Sequence, residues 1–287
     1  METATAKVGT QKDVHTIIND KIIELLNKGI VPWRTPWTGG VPHNLISGNP
    51  YQGINLLLLS CLGYERNFFL SEKQLKENGA SILAGERPHM VAFWNYNDES
   101  SVEIKEAPRL SYYNVYNVAQ CIIPEERFNG VQQILWSIDE VVADMSHCPE
   151  IINKESTAYY DVIEDYINIP KPNFFKNGND LTSTLFHQLI HCTGHHTRLD
   201  RRGLVQMCEY GYTGISQEDI IADIGGKYLE ALTGISCVGE FTTEYLEACK
   251  AKLQADKYFI FAVSRQAQLA IDFILSKDEN EAQNPTE

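Results

Sequence analysis

The sequence predicts two α+β domains. The first is a small antiparallel sheet with helices, and the second is a helix carrying paired histidines, packed against a short sheet. Three observations support this. Segments with helical apolar spacing alternate with short aromatic and β-branched runs. A Pro- and Gly-marked stretch near 123–131 divides the 287 residues into parts of workable domain size, 11–125 and 131–276. Finally, His187 and His191 lie four residues apart in an apolar segment of the second part.

Taken in order, residues 1–10 read as a loose arm, and Asp13–Lys28 reads as a helix. Ile18, Ile22, Leu25 and Leu26 recur at helical spacing there, and Gly29 is a natural stop. The Pro-, Gly- and Trp-rich stretch after it cannot stay regular for long. Ile54–Gly63 reads as an apolar helix, and Ser71 opens a short one ending at Asn78. His89–Asn95 and Tyr112–Val118 read as strands, and the turn-forming NDESS between them predicts an antiparallel pair. Beyond the linker, Ile134–Met145 reads as a helix, and Ala158–Pro170 contains strand pieces. Leu181–Gly194 is apolar on most sides, which marks a buried helix. Gln217–Leu232 follows the N-cap Ser216 and ends near Gly234. One long helix is predicted from Thr243 to Leu275, then a polar tail expected to be disordered.

Composition removes several function classes. No apolar run approaches the roughly 18–20 residues of a membrane helix, and the N-terminus lacks the apolar stretch of a secretory signal, so a cytoplasmic location is the default expectation. Seven scattered cysteines without a CxxC pair predict reduced thiols and no disulfide framework. The net charge of −14 falls mainly in the second half, −12 against −2 for residues 1–125. A generic cationic nucleic-acid binder would differ, because phosphate contacts need Lys and Arg. Any nucleic-acid site must therefore be local, in the nearly neutral first half, and must use aromatic stacking as well as charge.

The informative segment is TLFHQLIHCTGHHTRLDR, Thr184–Arg201. Histidines four apart share one helical face, so their imidazoles can converge on one ion, Zn²⁺ or another divalent transition metal. Zinc peptidases of the zincin type read HExxH, the Glu acting as general base toward the zinc-bound water. Here that position is Gln188, an amide that can hold a water but cannot accept a proton at neutral pH. Metal binding with weak or absent hydrolysis is the expectation. A third histidine at the HxxGxxH spacing would fall on Thr197, with His196 one position short. The downstream run QEDIIADIGGKYL supplies acids instead. Asp219 is the expected third ligand, Asp223 the carboxylate that orients an imidazole, and Glu218 the reserve. His195 reads as structural or substrate-facing, and Tyr210 or Tyr212 as a candidate donor to an oxyanion.

Several separated motifs, in order, resemble the ArdC-type antirestriction family: PWRTPW (Pro32–Trp37), NPYQGINLLLL (Asn49–Leu59), YYNVYNVAQC (Tyr112–Cys121), AYYDVIEDYINIP (Ala158–Pro170) and the histidine segment. The resemblance covers about Asp13 to Leu232. It implies an N-terminal single-stranded-DNA-binding domain and a C-terminal zincin-like metallopeptidase domain. It also implies a plasmid- or mobile-element-encoded protein that shields single-stranded DNA entering a recipient cell in conjugation. Two departures stand out. Gln188 occupies the family's catalytic Glu position, and Asp219 and Asp223 stand where the family usually has Glu. Trp33, Arg34, Trp37 and Tyr51 are the expected DNA contacts, with Trp94 and Tyr96 as further stacking candidates and Lys73, Lys76, Arg87, Lys105 and Arg109 as phosphate partners. The alternative is a zinc metallopeptidase acting on DNA-bound proteins.

Overall fold

The computed structural model describes residues 13–95, 109–124, 133, 135–204 and 216–276. The arm, the tail, Tyr96, Lys105, Cys208, Tyr210, Tyr212 and most of the expected linker lie outside them.

In the first half, α1 (Val14–Asn27) begins where Asp13 accepts from the Thr16 amide, and it buries Ile18, Ile22 and Leu26. After β1 (His43–Asn44), α2 (Ile54–Ser60) is buried along Leu56–Ser60. Next come β2 (Phe68–Ser71) and α3 (Glu72–Glu77), the latter opened by a reciprocal Ser71–Gln74 capping box. The remaining strands are β3 (Ser81–Ile82), β4 (His89–Asn95), β5 (Arg109–Asn117) and β6 (Cys121–Ile122). The main sheet runs β1-β2-β5-β4, with β3 and β6 paired separately. The predicted β4–β5 pair is antiparallel, with Val91 opposite Tyr113. β5 stops at Asn117, whose side chain turns to cap the Ala119 amide.

In the second half, α4 (Ile138–Asp144) starts later than predicted, because Ser137 and Glu140 close a capping box and Trp136 instead donates its amide to Leu232. The strands β7 (Glu150–Ile152), β8 (Tyr159–Asp161) and β9 (Tyr166–Asn168) form a small sheet in the order β7-β9-β8. α5 (Gly178–Cys192) packs on it, α6 (Gln217–Leu232) packs on α5, and α7 (Thr243–Ala255) and α8 (Phe259–Ile274) follow. The single long C-terminal helix expected from the sequence is thus two. Asp256 is extended (φ −143°, ψ 110°). Its carboxylate accepts from the Tyr258 amide at 2.8 Å, a local hydrogen bond that competes with helix continuation.

The two halves share their main core. Ile18, Ile22 and Leu26 of α1 belong to one buried apolar cluster with Leu253 of α7, Ile271 of α8, and Phe186 and Leu189 of α5. The six described cysteines are free. No helix among the described residues is long and apolar enough to cross a membrane.

Candidate metal centre

α5 is capped by Asn177, which accepts from the Asp180 amide, and it ends at Thr193, whose hydroxyl bonds back to the Ile190 carbonyl. α6 crosses it closely. A Cβ on Gly225 would fall 2.5 Å from Ile190 Cδ1, so only glycine permits this approach. The close crossing brings the acids of α6 to the histidines of α5.

His187 and His191 turn their Nε2 atoms toward each other, 3.1 Å apart, with ring planes at 76°. His187 Nδ1 lies 3.2 Å from Asp223 Oδ1, and His191 Nδ1 lies 3.6 Å from Glu218 Oε1. Each ring thus has a carboxylate on its outer nitrogen. Such an acceptor favours the proton on Nδ1 and leaves Nε2 as a lone pair. Two lone pairs at this distance repel unless a cation lies between them. If instead one Nε2 keeps its proton to bond the other, a bare Nδ1 faces a carboxylate. His191 Nδ1 is indeed buried without a hydrogen-bond partner. A divalent ion between the two Nε2 atoms removes this conflict, because both rings can then carry their protons on Nδ1, toward the carboxylates. Two nitrogens about 2.0–2.1 Å from a tetrahedral ion are about 3.3–3.4 Å apart, near the observed separation.

The surrounding charges are buried and paired. Glu218 is held by Arg201, whose Nε lies 3.1 Å from both of its oxygens, and whose remaining nitrogens donate to Thr193 Oγ1 and the Ile190 carbonyl. Burial pushes the Glu218 carboxyl up, but His191 and Arg201 more than offset this and hold it below the usual carboxylate range. Burial likewise opposes ionisation of Asp223, and His187, Arg34 and Tyr245 outweigh it. Burial favours neutral His191, lowering its pKa. Beside His187 opens a cleft of about 290 Å³, lined by Trp33, Arg34, Ser183, Thr184, Asp223 and Lys227 among others.

Residues 12–118 match the family model of the N-terminal domain of the anti-restriction factor ArdC, and residues 137–266 match that of a zincin-like metallopeptidase. The chain thus carries an ArdC-type N-terminal domain followed by a zincin-like metallopeptidase domain. The fold agrees with the metal-free crystal structure of ArdC from plasmid R388 at a TM-score of 0.75 and 28% identity, over 94% of this chain and 99% of that one. The Mn(II)-bound form gives 0.73 and 27%, over 96% and 100%. Two Escherichia coli proteins named DNA primase TraC are 26% and 25% identical over 96% and 95% of this chain, which spans only 28% and 20% of their lengths. The Sinorhizobium fredii protein y4eC is 24% identical, over 96% of this chain and 95% of its own.

The sequence-predicted site residues do not all come together. His187, His191 and Asp223 come together, and Gln188 follows His187 on α5, largely buried. Asp219 does not reach the histidines. Its Oδ2 accepts from the Ser216 amide and hydroxyl, both at 2.8 Å, closing the capping box of α6. No group of three ligating side chains is assembled among the described residues. Glu218 faces the outer nitrogen of His191, so it supports the ring and does not face the ion position. His195 is buried with Nδ1 2.8 Å from Thr197 Oγ1, apart from the pair.

The expected DNA contacts require correction. Trp33 and Trp37 are only 1% and 5% exposed, and Tyr51 is 8%, so their faces cannot stack on bases. The Pro-rich loop folds inward instead. Trp33 Nε1 donates to Tyr245 Oη at 2.7 Å, and Trp37 Nε1 donates to the Pro32 carbonyl at 2.9 Å. Arg34 is committed to Asp223 at 2.7 Å and not to a phosphate. On β4 and β5 the exposed aromatics are Trp94 at 47% and Tyr112 at 45% on one face and Tyr113 at 40% on the other. Sequence reasoning also missed Arg201, Tyr245 and the inward role of Arg34. A composition of buried charges seventeen or more positions apart leaves no local period to read.

Proposed function

We propose that this chain is a single-stranded-DNA-binding antirestriction protein whose second domain holds one divalent ion. The observation that supports the metal reading best is the pair of Nε2 atoms 3.1 Å apart with a carboxylate behind each ring. His187 and His191 are the ligands. Asp219 is the third, because it shares the α6 face of Asp223 one turn earlier and can leave its cap for about 1 kcal/mol. Zn²⁺ or Mn²⁺ in this donor set would polarise a bound water or carbonyl. Gln188 can orient a water by hydrogen bonds but cannot take its proton. The chain as it stands is therefore a metal-binding protein with impaired hydrolysis.

For DNA, the support has moved from the buried tryptophans to β4 and β5. Trp94 and Tyr112 project from the same sheet face, since Tyr112 pairs with Ala92 and Leu110 with Trp94. Trp94 also neighbours His15, which lies 4.8 Å from the exposed Tyr258 ring. Exposed Arg109 at the start of β5 and Lys257 above Tyr258 supply cations. Such platforms bind single strands by stacking and backbone charge. A labelled oligonucleotide shift that weakens with salt and with Trp94→Ala would support this, and no shift at low salt would refute it.

A second reading, a metallopeptidase acting on DNA-bound proteins, is favoured by the cleft of about 290 Å³ opening at His187. Zinc-loaded Gln188→Glu protein that cleaves nothing when DNA is present would remove it.

A further inference from the structure

We propose that Arg34, backed by Trp33, is a positioning residue of the metal centre contributed by the N-terminal half, so that metal affinity depends on how that half is seated. The inference rests on the metal-centre reading above.

Asp223 has two oxygens with separate duties. Oδ1 lies against His187 Nδ1 at 3.2 Å. Oδ2 receives Arg34 Nε and a second Arg34 nitrogen, each at 2.7 Å, and the Tyr245 hydroxyl at 2.8 Å. Three donors on one oxygen fix the carboxylate plane, leaving Oδ1 to hold the imidazole. A carboxylate behind a ligating histidine sets its tautomer and orientation and raises its basicity. Here two of the three contacts that aim the carboxylate come from Arg34, in the other half of the chain, and the third from Tyr245, in the same half as Asp223.

Arg34 is itself clamped. Its guanidinium lies over the Tyr245 ring, 4.9 Å from the centroid, and one nitrogen donates to the Glu240 carbonyl at 3.1 Å. Its own carbonyl accepts from the Gly239 amide at 3.0 Å. A Cβ on Gly239 would fall 2.6 Å from Arg34 Cδ, so the 235–242 strap can close over this arginine only with glycine there. Trp33 completes the support by donating to Tyr245 Oη at 2.7 Å. The planar fork matters, because two guanidinium nitrogens converge on Oδ2 while a third reaches the Glu240 carbonyl, a fixed arrangement that a lysine's single ammonium does not reproduce.

The test is the Zn(II) affinity of the full chain, by competition with a chromophoric chelator, together with ¹⁵N shifts of the His187 ring. Arg34→Gln should weaken binding about 10–100-fold and move the His187 nitrogen shifts. Arg34→Lys should fall between Arg34→Gln and the parent, and Tyr245→Phe should show a smaller loss. Asn19→Ala is the control. Asn19 donates to the Leu253 carbonyl at 2.9 Å, joining the same two halves away from Asp223. It should lower the melting temperature without changing affinity. Parent-like affinity in Arg34→Gln, or an equal loss in Asn19→Ala, overturns the proposal. If Arg34→Gln does not fold, parent-like affinity in Tyr245→Phe overturns it. A parent that binds no ion sinks the metal-centre reading and this inference together, whereas a parent that binds while its Arg34 variants bind equally sinks only the inference.

Discussion

Replacing Arg201 with methionine should destabilise the metal-free protein by about 3–5 kcal/mol, the usual cost of breaking a buried ion pair. The size follows from what the substitution leaves behind. Glu218 is 1% exposed, and Arg201 is its counter-charge, reaching both carboxylate oxygens. Removing the guanidinium also takes a donor from Thr193 Oγ1 and from the Ile190 carbonyl, which accept from it at 2.6 and 2.7 Å, and so unties the end of α5 from the start of α6. At about 2–4 °C per kcal/mol for a protein of this size, the midpoint should fall by roughly 6–20 °C. The double variant Arg201→Met, Glu218→Leu should recover most of the loss, because an apolar pair of similar volume no longer strands a charge. Urea denaturation and calorimetry with chelator present measure both variants. A single-variant loss below about 1 kcal/mol, or a double variant no better than the single, would refute this reasoning.

Other outcomes follow from the same residues. The metal-free protein should lose stability below pH 6.5, where the unfolded His191 takes up a proton that burial denies the folded one, and again below about 4.5, where the unfolded carboxyls of Glu218 and Asp223 protonate first. Both groups of sites have depressed folded pKa values, so stability is present at higher pH and lost on acidification. A stability profile flat from pH 8 to 4 would contradict this. Gln188→Glu should raise peptide cleavage by the zinc-loaded protein about 10²–10⁴-fold, as a positioned general base does, read by fluorogenic-peptide turnover. Trp94→Ala and Tyr112→Ala should each weaken single-stranded DNA binding by about 1–3 kcal/mol in anisotropy titrations, while Trp37→Ala should act through stability instead. Saturating metal at about 100 times its Kd should stabilise the fold by about 2.7 kcal/mol, seen as a raised melting temperature that chelation reverses.

The parts of this molecule that depend on local period were readable in the chain. The β4 segment, the α1 stripe of Ile18, Ile22 and Leu26, and the shared face of His187 and His191 all follow from periods of 2 or 3.6. So does the placement of Asp223 one turn after Asp219. What was not readable depends on tertiary choice. The Asp219 carboxylate accepts from the Ser216 amide and hydroxyl at the start of its own helix, a competing use that ligand spacing does not reveal. Trp33 and Trp37 lie in a Pro-rich loop of surface composition, yet both are buried against the second half and their own backbone. The Arg34–Asp223 contact joins residues 189 positions apart, beyond any window on the sequence. The break at Asp256 was missed for a smaller reason. A single acidic residue in a helical pattern ends a helix only when its carboxylate finds the amide two residues on.

The most direct measurement is metal content per chain after loading with Zn(II) or Mn(II) and exhaustive dialysis, for the parent and for His187→Ala. One ion per parent chain, with none retained by the variant, is the expected result. A parent without metal, or a variant that keeps as much as the parent, would show that the paired imidazoles and the carboxylates behind them are a buried polar network and not a metal centre.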